Sequence, residues 1–184
     1  MHRLLEIALA TVGLIVAAPV IIVAGVLVRR DSPGPALFRQ VRVGRDGLPF
    51  TCLKMRTMYL DTGDRPSHDV GRSSVTKAGN ILRKTKIDEL PQLWNVVRGD
   101  MSLVGPRPCL PSQTELIEAR RRRGVLKMRP GITGISQIAG VDMSDPERLA
   151  TLDATYVKSL ATDLRIIFAT VFGAGRGDRV SSDT

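Results

Sequence analysis

Between Glu6 and Arg29 the chain runs for 22 residues, Ile7 to Val28, without a charged side chain. As an α-helix, at ~1.5 Å rise per residue, that run is about 33 Å long, against a hydrocarbon thickness of ~30 Å. Few soluble domains hold so long an uncharged helix. A secretory signal peptide fits poorly, because Arg29-Arg30-Asp31-Ser32-Pro33 follows where a small-residue cleavage site would be needed. The run is therefore read as a membrane-inserted helix. Pro19 lies near its middle and removes one backbone hydrogen bond, so a kink is expected at Ala18-Pro19. A helix that spans the bilayer favours its positive flank on the cytoplasmic side. Here Arg3 precedes the run and Arg29 and Arg30 follow it, which suits a helix that dips into one leaflet and returns. On these residues alone, spanning and re-entrant helices both stay open.

The remainder must bind something anionic. The 184 residues carry 27 Lys+Arg against 18 Asp+Glu, a net charge of +9 with His neutral. Nucleic acid, anionic lipid and phosphorylated substrates all meet that requirement. Aromatic residues make up only 4 % of the chain, which argues against a nucleic-acid binder that stacks bases. Cys52 and Cys109 are too far apart for a metal-binding Cys-x-x-Cys, and His2 and His68 are too few for a histidine cage. Both thiols are read as reduced and buried.

After a rigid Ser32-Pro33-Gly34-Pro35 turn, Phe38–Val43 and Phe50–Met55 alternate around Gly44-Arg45-Asp46-Gly47 as a β-hairpin would. Residues 59–75 are polar and turn-rich and are read as a mobile loop. Helices are expected over Asn80–Lys84, Pro91–Val97 and Thr114–Arg123, with Gly105-Pro106-Arg107-Pro108 as a stiff loop. Ser144-Asp145-Pro146-Glu147 has the spacing of a capping box, with Leu149, Leu152, Tyr156 and Leu160 continuing one face. A last helix, Asp163–Phe172, is either ordinary core or a helix lying in the membrane interface. Trp94 is expected in the core.

The chemistry concentrates between Lys54 and Arg107. Asp88 and Glu89 are adjacent carboxylates just before a proline-started helix, and capping that helix is their plain structural reading. Their setting adds to this. Arg83, Lys84 and Lys86 surround them, and nearby positive charge keeps carboxylates ionised and attracts phosphate. An ionised carboxylate can attack phosphorus, and a neighbour facing about 100° away on a helix can hold Mg²⁺ against phosphate oxygens.

Lys54-Met55-Arg56-Thr57-Met58, Leu82–Gln92, Gly99–Pro108 and Arg129-Pro130-Gly131-Ile132-Thr133-Gly134 occur in order, preceded by Asp31–Gln40. With these blocks the chain resembles, over nearly its whole length, the bacterial sugar transferases of the small monotopic, polyprenyl-phosphate phosphoglycosyl transferase kind. The resemblance implies transfer of a phospho-sugar from a UDP-sugar to undecaprenyl phosphate with release of UMP, the opening membrane step of polysaccharide or glycoprotein glycan assembly. It implies Asp88 as the nucleophile that carries a covalent phospho-sugar, and Glu89 as the residue associated with Mg²⁺. The family's membrane segment is re-entrant and breaks at a Ser-Pro; here the pair is Ala18-Pro19, so the proline is kept and the hydroxyl is not.

The expected fold is accordingly α+β and mostly helical. It is one monotopic membrane-associated domain with a proline-kinked re-entrant helix (residues 1–30), a small β-hairpin and amphipathic interfacial helices. Residues 31–172 form the catalytic part on the cytoplasmic face of the bacterial plasma membrane, and residues 173–184 a flexible tail. The partners are a UDP-sugar, polyprenyl phosphate and membrane lipid, not nucleic acid, with a second copy of the chain as an open alternative. Lys54 and Arg56 alternate with Leu53 and Met55 and are expected on one face of a strand, against pyrophosphate. Arg83 suits bidentate phosphate contact, Arg107 is pre-oriented between two prolines, and Gln137 follows the Pro-Gly-x-Thr-Gly turn as a substrate contact. The Arg120–Arg123 run is read as a solvated face or a contact with anionic headgroups. A basic membrane-tethered binding module and a phosphohydrolase using the same aspartyl chemistry are the competing function classes.

Overall fold

The computed structural model describes residues 3–62 and 74–173. The expected flexible tail after Gly173 and most of the expected mobile loop lie outside the described residues. The chain begins with α1 (Arg3–Asp31), whose helical backbone runs without interruption through Pro19. It is long and apolar enough to cross a membrane.

The outward and inward faces of α1 differ in side-chain size. Glu6, Ala10, Ala24 and Val28 are buried against the rest of the protein. Gly13 faces Leu93, and Gly25 faces Ala36 and Met55. The larger side chains of Leu9, Ile15, Val16, Ile22 and Val23 point away and are exposed. The inward positions recur at three- and four-residue spacing, so one stripe of the helix docks along the domain. Small residues let the backbones approach closely, as at helix contacts within membranes.

Both ends of α1 are tied to the same folded unit. At the N-terminal end, Arg3 donates to the carbonyls of Val96 (2.6 Å) and Met101 (2.9 Å), and Ser102 Oγ donates to Glu6 at 2.7 Å. At the C-terminal end, Asp31 accepts from the Ala78 amide at 2.9 Å, and Arg56 donates to the Ser32 carbonyl at 2.8 Å.

The hairpin forms as its alternation predicts. β1 (Leu37–Val43) pairs antiparallel with β2 (Pro49–Met55), from Leu37 opposite Met55 to Val43 opposite Pro49. α2 (Lys77–Thr85) and α3 (Gln92–Arg98) follow, and Gly99 closes α3 with φ +106°, a left-handed cap that glycine adopts without strain. The buried Asn95 on α3 supplies what a third strand would. Its Oδ1 accepts from the Leu53 amide at 3.0 Å, and its Nδ2 donates to the Thr51 carbonyl at 2.7 Å.

A second, parallel pair escaped the sequence reading. β3 (Ser102–Val104) lies beside β4 (Gly131–Thr133), with Ser102 opposite Gly131. The loops beyond them pack backbone to backbone: a Cβ on Gly105 would lie 2.4 Å from the Arg129 carbonyl oxygen. α4 (Thr114–Arg122), α5 (Ile135–Ile138), α6 (Pro146–Ala154) and α7 (Leu160–Val171) complete the domain.

Three local expectations are corrected. Asp145, not Ser144, caps α6, because its carboxylate accepts from the Arg148 amide at 3.1 Å while the Ser144 amide donates to Asp142. α6 ends at Ala154, so Tyr156 and Leu160 do not extend its face. Trp94 is 50 % exposed instead of sitting in the core. On α7 the buried face is Asp163 and Ile166, while Leu164, Phe168 and Val171 are exposed, which is the amphipathic alternative to core packing.

Asn95→Ala removes the edge partner of β2 and strands the Leu53 amide and Thr51 carbonyl. The expected loss is roughly 2–6 kcal/mol, at ~1–3 kcal/mol for each group left unpaired. A denaturant titration in detergent micelles measures it, and an unchanged midpoint would contradict the role assigned to Asn95.

Candidate active site

Asp88 and Glu89 occupy one short 3-10 turn, Ile87–Glu89, between α2 and α3. The chain reaches it through Lys86, which adopts φ +57°, an uncommon conformation for a residue with a Cβ. The Lys86 amide donates to the Arg83 carbonyl and the Leu90 amide to the Ile87 carbonyl, so backbone hydrogen bonds hold the bend on both sides. Asp88 is only 6 % exposed. The carboxylates therefore sit in a tight turn rather than on a regular helix, and Pro91 caps α3 behind them.

Glu89 is held from two sides. Lys54 Nζ donates to its Oε1 at 3.1 Å, and Arg107 Nη2 lies 3.4 Å from the same oxygen. Lys54 comes from β2 and Arg107 from the stiff loop after β3, so three separate segments meet here. Arg42, Lys54, Arg107 and Glu89 line one small pocket with Gln92 and Ile132. Its charged lining is three cations and one carboxylate, an excess of positive charge suited to a pyrophosphate.

Cys52 opens on the same pocket, but burial pushes its thiol above the usual range, outweighing the opposing pull of Lys54 and Arg42. Burial likewise raises Cys109. At neutral pH neither is a thiolate nucleophile.

The structure sorts the residues expected at the site. Glu89, Lys54 and Arg107 come together; Asp88 precedes Glu89 on the same turn, buried, and is not itself among the pocket's lining residues. Arg83 stands in the last turn of α2, partly buried, and is not among the pocket's lining residues. Gln137 on α5 turns its amide to the Ile132 carbonyl at 3.4 Å and is likewise outside the lining. Arg56 is a correction. It is 3 % exposed, and its guanidinium donates to the carbonyls of Pro33 and Ser32 at the end of α1. β2 ends at Met55, and with it the alternation that would keep Arg56 on the Lys54 face.

Arg120 is also corrected. Far from being solvated, it is buried and paired with Asp153, whereas Arg121, Arg122 and Arg123 make exposed ion pairs with Glu118 and Glu147. Arg42 and Gln92 were missed. Arg42 was legible from the hairpin register, since Phe38 faces Lys54 and Arg42 lies four residues on along the same face.

The chain as a whole has relatives. Residues 1–176 match the family model described as bacterial sugar transferase. The chain belongs to that family. It is 41 % identical to the UDP-glucose:undecaprenyl-phosphate glucose-1-phosphate transferase of Caulobacter vibrioides, over 92 % of this chain and 67 % of that protein. The Escherichia coli transferase of the same name is 39 % identical over 94 % of this chain, which spans only 39 % of that relative's length. The exopolysaccharide production protein ExoY of Sinorhizobium fredii is 36 % identical over 92 % of this chain and 83 % of its own. The bacterial sugar transferase domain is thus nearly coextensive with this chain, while some relatives carry it within a longer protein.

Proposed function

We propose that this chain is a phosphoglycosyl transferase that moves a sugar 1-phosphate from a UDP-sugar to polyprenyl phosphate, with Asp88 as the nucleophile. The observation that carries the reading is the buried Asp88 on a turn whose neighbour, Glu89, is anchored by Lys54 and Arg107 in a pocket of net positive charge. The relatives whose names state this reaction support the choice of substrates.

In the first step an Asp88 carboxylate oxygen attacks the sugar-linked phosphorus. The bond from that phosphorus to the bridging oxygen breaks, and UMP leaves with the electron pair. Lys54, Arg42 and Arg107 offset the charge on the pyrophosphate, the kind of fixed electrostatic stabilisation that lowers such barriers most. In the second step an oxygen of polyprenyl phosphate attacks the same phosphorus and frees the Asp88 carboxylate. Dividing the reaction means that two anionic substrates need not crowd one cationic pocket together.

Two adjacent carboxylates plus phosphate oxygens fit a hard divalent cation, which is commonly held by one or two carboxylates and substrate phosphates. Glu89 would hold it, as the carboxylate that faces the pocket. When bound, Mg²⁺ would supply further neutralisation of the phosphate oxygens.

For the membrane we propose that α1 inserts from one side, re-entrant and not spanning, with the pocket on the cytoplasmic face of the bacterial plasma membrane. Arg3 and Glu6 at one end, and Val28 and Asp31 at the other, contact the same folded domain. A spanning helix would separate these ends by the bilayer and break one set of contacts. The exposed apolar faces of α1 and α7 agree with a monotopic arrangement.

Four outcomes are expected. Asp88→Asn keeps the shape and loses the attacking charge, so UMP release should fall by at least ~10³-fold with the fold retained. Wild-type protein given UDP-sugar alone should gain one phospho-sugar on the Asp88 peptide by mass spectrometry; an adduct on Glu89, or an active Asp88→Asn, would refute the assignment. Exhaustive chelation should abolish turnover and Mg²⁺ restore it, whereas full activity after chelation would remove the metal from the reaction. Cysteines placed at His2 and at the exposed Pro35, in a Cys52→Ser/Cys109→Ser background, should both label only from the cytoplasmic side of inverted and right-side-out vesicles. Periplasmic labelling at position 2 would overturn the one-sided helix and leave the chemistry standing.

A further inference from the structure

Behind the pocket lies a buried charged network that the reaction above does not use. Arg120 on α4 and Asp153 on α6 are 3 % and 1 % exposed. Nε and Nη2 of Arg120 donate to one Asp153 oxygen at 3.1 and 2.7 Å, and Ser136 Oγ donates to the other at 2.8 Å. The remaining guanidinium nitrogen, Nη1, donates to the backbone carbonyl of Arg107 at 2.8 Å.

Stability alone explains such a cluster poorly, because apolar residues of similar volume commonly serve a core as well as a buried ion pair does. What apolar residues could not reproduce is the outward bond to Arg107. Ser136 adds a second link, since it lies at the start of α5 three residues after β4 ends, and Gly131 and Ile132 of β4 line the pocket. The two pocket walls are already joined at the backbone, where the Gly131 amide donates to the Pro106 carbonyl at 2.9 Å. The network grips both walls from behind.

We infer that Arg120, Asp153 and Ser136 are positioning residues for Arg107. By fixing the Arg107 carbonyl they aim its guanidinium at Glu89 and at the phosphate of the bound nucleotide sugar. This rests on the reading of Arg107 as a phosphate contact. Arginine is required at position 120 because only a guanidinium offers two bonds to Asp153 and a third, in the same plane, to a carbonyl.

A mutant cycle tests it. Arg120→Met/Asp153→Leu/Ser136→Ala exchanges the network for apolar side chains, so no buried charge is stranded. It should keep its melting transition and lower kcat/KM for UDP-sugar by about 10- to 100-fold, the scale of a misplaced reacting group. In an Arg107→Ala background the same three changes should cost less than ~2-fold more, because the residue they position is gone. If the losses multiply in full, the network does not act through Arg107 and the inference falls. If Arg107→Ala itself keeps wild-type kcat/KM, the phosphate reading of Arg107 fails first and takes the inference with it. Should the triple variant not fold, Ser136→Ala decides through the same cycle. Its expected loss is about 2- to 5-fold with Arg107 present, at one hydrogen bond's worth, and none without it.

Discussion

The docking of α1 along the domain is the constraint on which the other elements depend. A helix of 29 residues whose outward face is Ile, Leu and Val has two ways to satisfy that face: a protein partner or lipid. Its inward face is too small-featured to carry a core of its own, so the domain builds one against it in two separate places. Ala10 joins Cys52, Val96 and Met101 near one end, and Ala24 and Val28 join Met55 and Leu82 near the other. β2 is shared between these clusters, which fixes the hairpin relative to the helix. Polar contacts to Arg3, Glu6 and Asp31 then lock the ends.

The pocket depends in turn on that hairpin. β2 contributes Lys54, two residues along the same face from the buried Cys52, and Asn95 fastens α3 to the same strand between Thr51 and Leu53. α3 begins three residues after Glu89, so the Asn95 bonds brace the element after Glu89 against the strand that carries Lys54. A flexible lysine and a glutamate on unconnected loops would lose side-chain entropy on pairing and gain little in water. Held on two braced elements and mostly shielded, the same pair is pre-organised. Arg107 is braced from the other side by the packed Gly105 and Gly131 loops.

The legible parts of the sequence were those where one local rule decides. Twenty-two uncharged residues specify α1, alternation around Gly44–Gly47 specifies the hairpin, and Pro91 with Gly99 brackets α3. Asp88 and Glu89 stood out because acidic residues amid Arg83, Lys84 and Lys86 demand an explanation. What remained hidden depends on tertiary context. β3 and β4 are three residues each, too short for any period, and exist because two loops meet. Arg120 is indistinguishable from Arg121–Arg123 along the chain; only the approach of α6 makes one of four arginines a buried pair. Arg56 obeyed the strand period up to the residue where the strand stopped. Trp94 was expected in the core, but nothing local says which face of a seven-residue helix is covered.

The turn at Ile87–Glu89 joins these two environments. Ile87 packs with Ile21, Ala24, Met55 and Leu82 beside the membrane helix, while two residues later Glu89 faces the cationic pocket. Asp88 lies between them. A regular helix would rotate successive residues by about 100° and spread the carboxylates over one side. A single tight turn instead sets an apolar side chain against α1 and presents a carboxylate to the pocket within about one turn of backbone. The two proposed substrates differ in just this way, one a soluble nucleotide and the other a phosphate on a hydrocarbon chain. The proposed reaction asks one carboxylate to serve both, and the left-handed Lys86 backbone is what bends the chain at the point where the two environments meet.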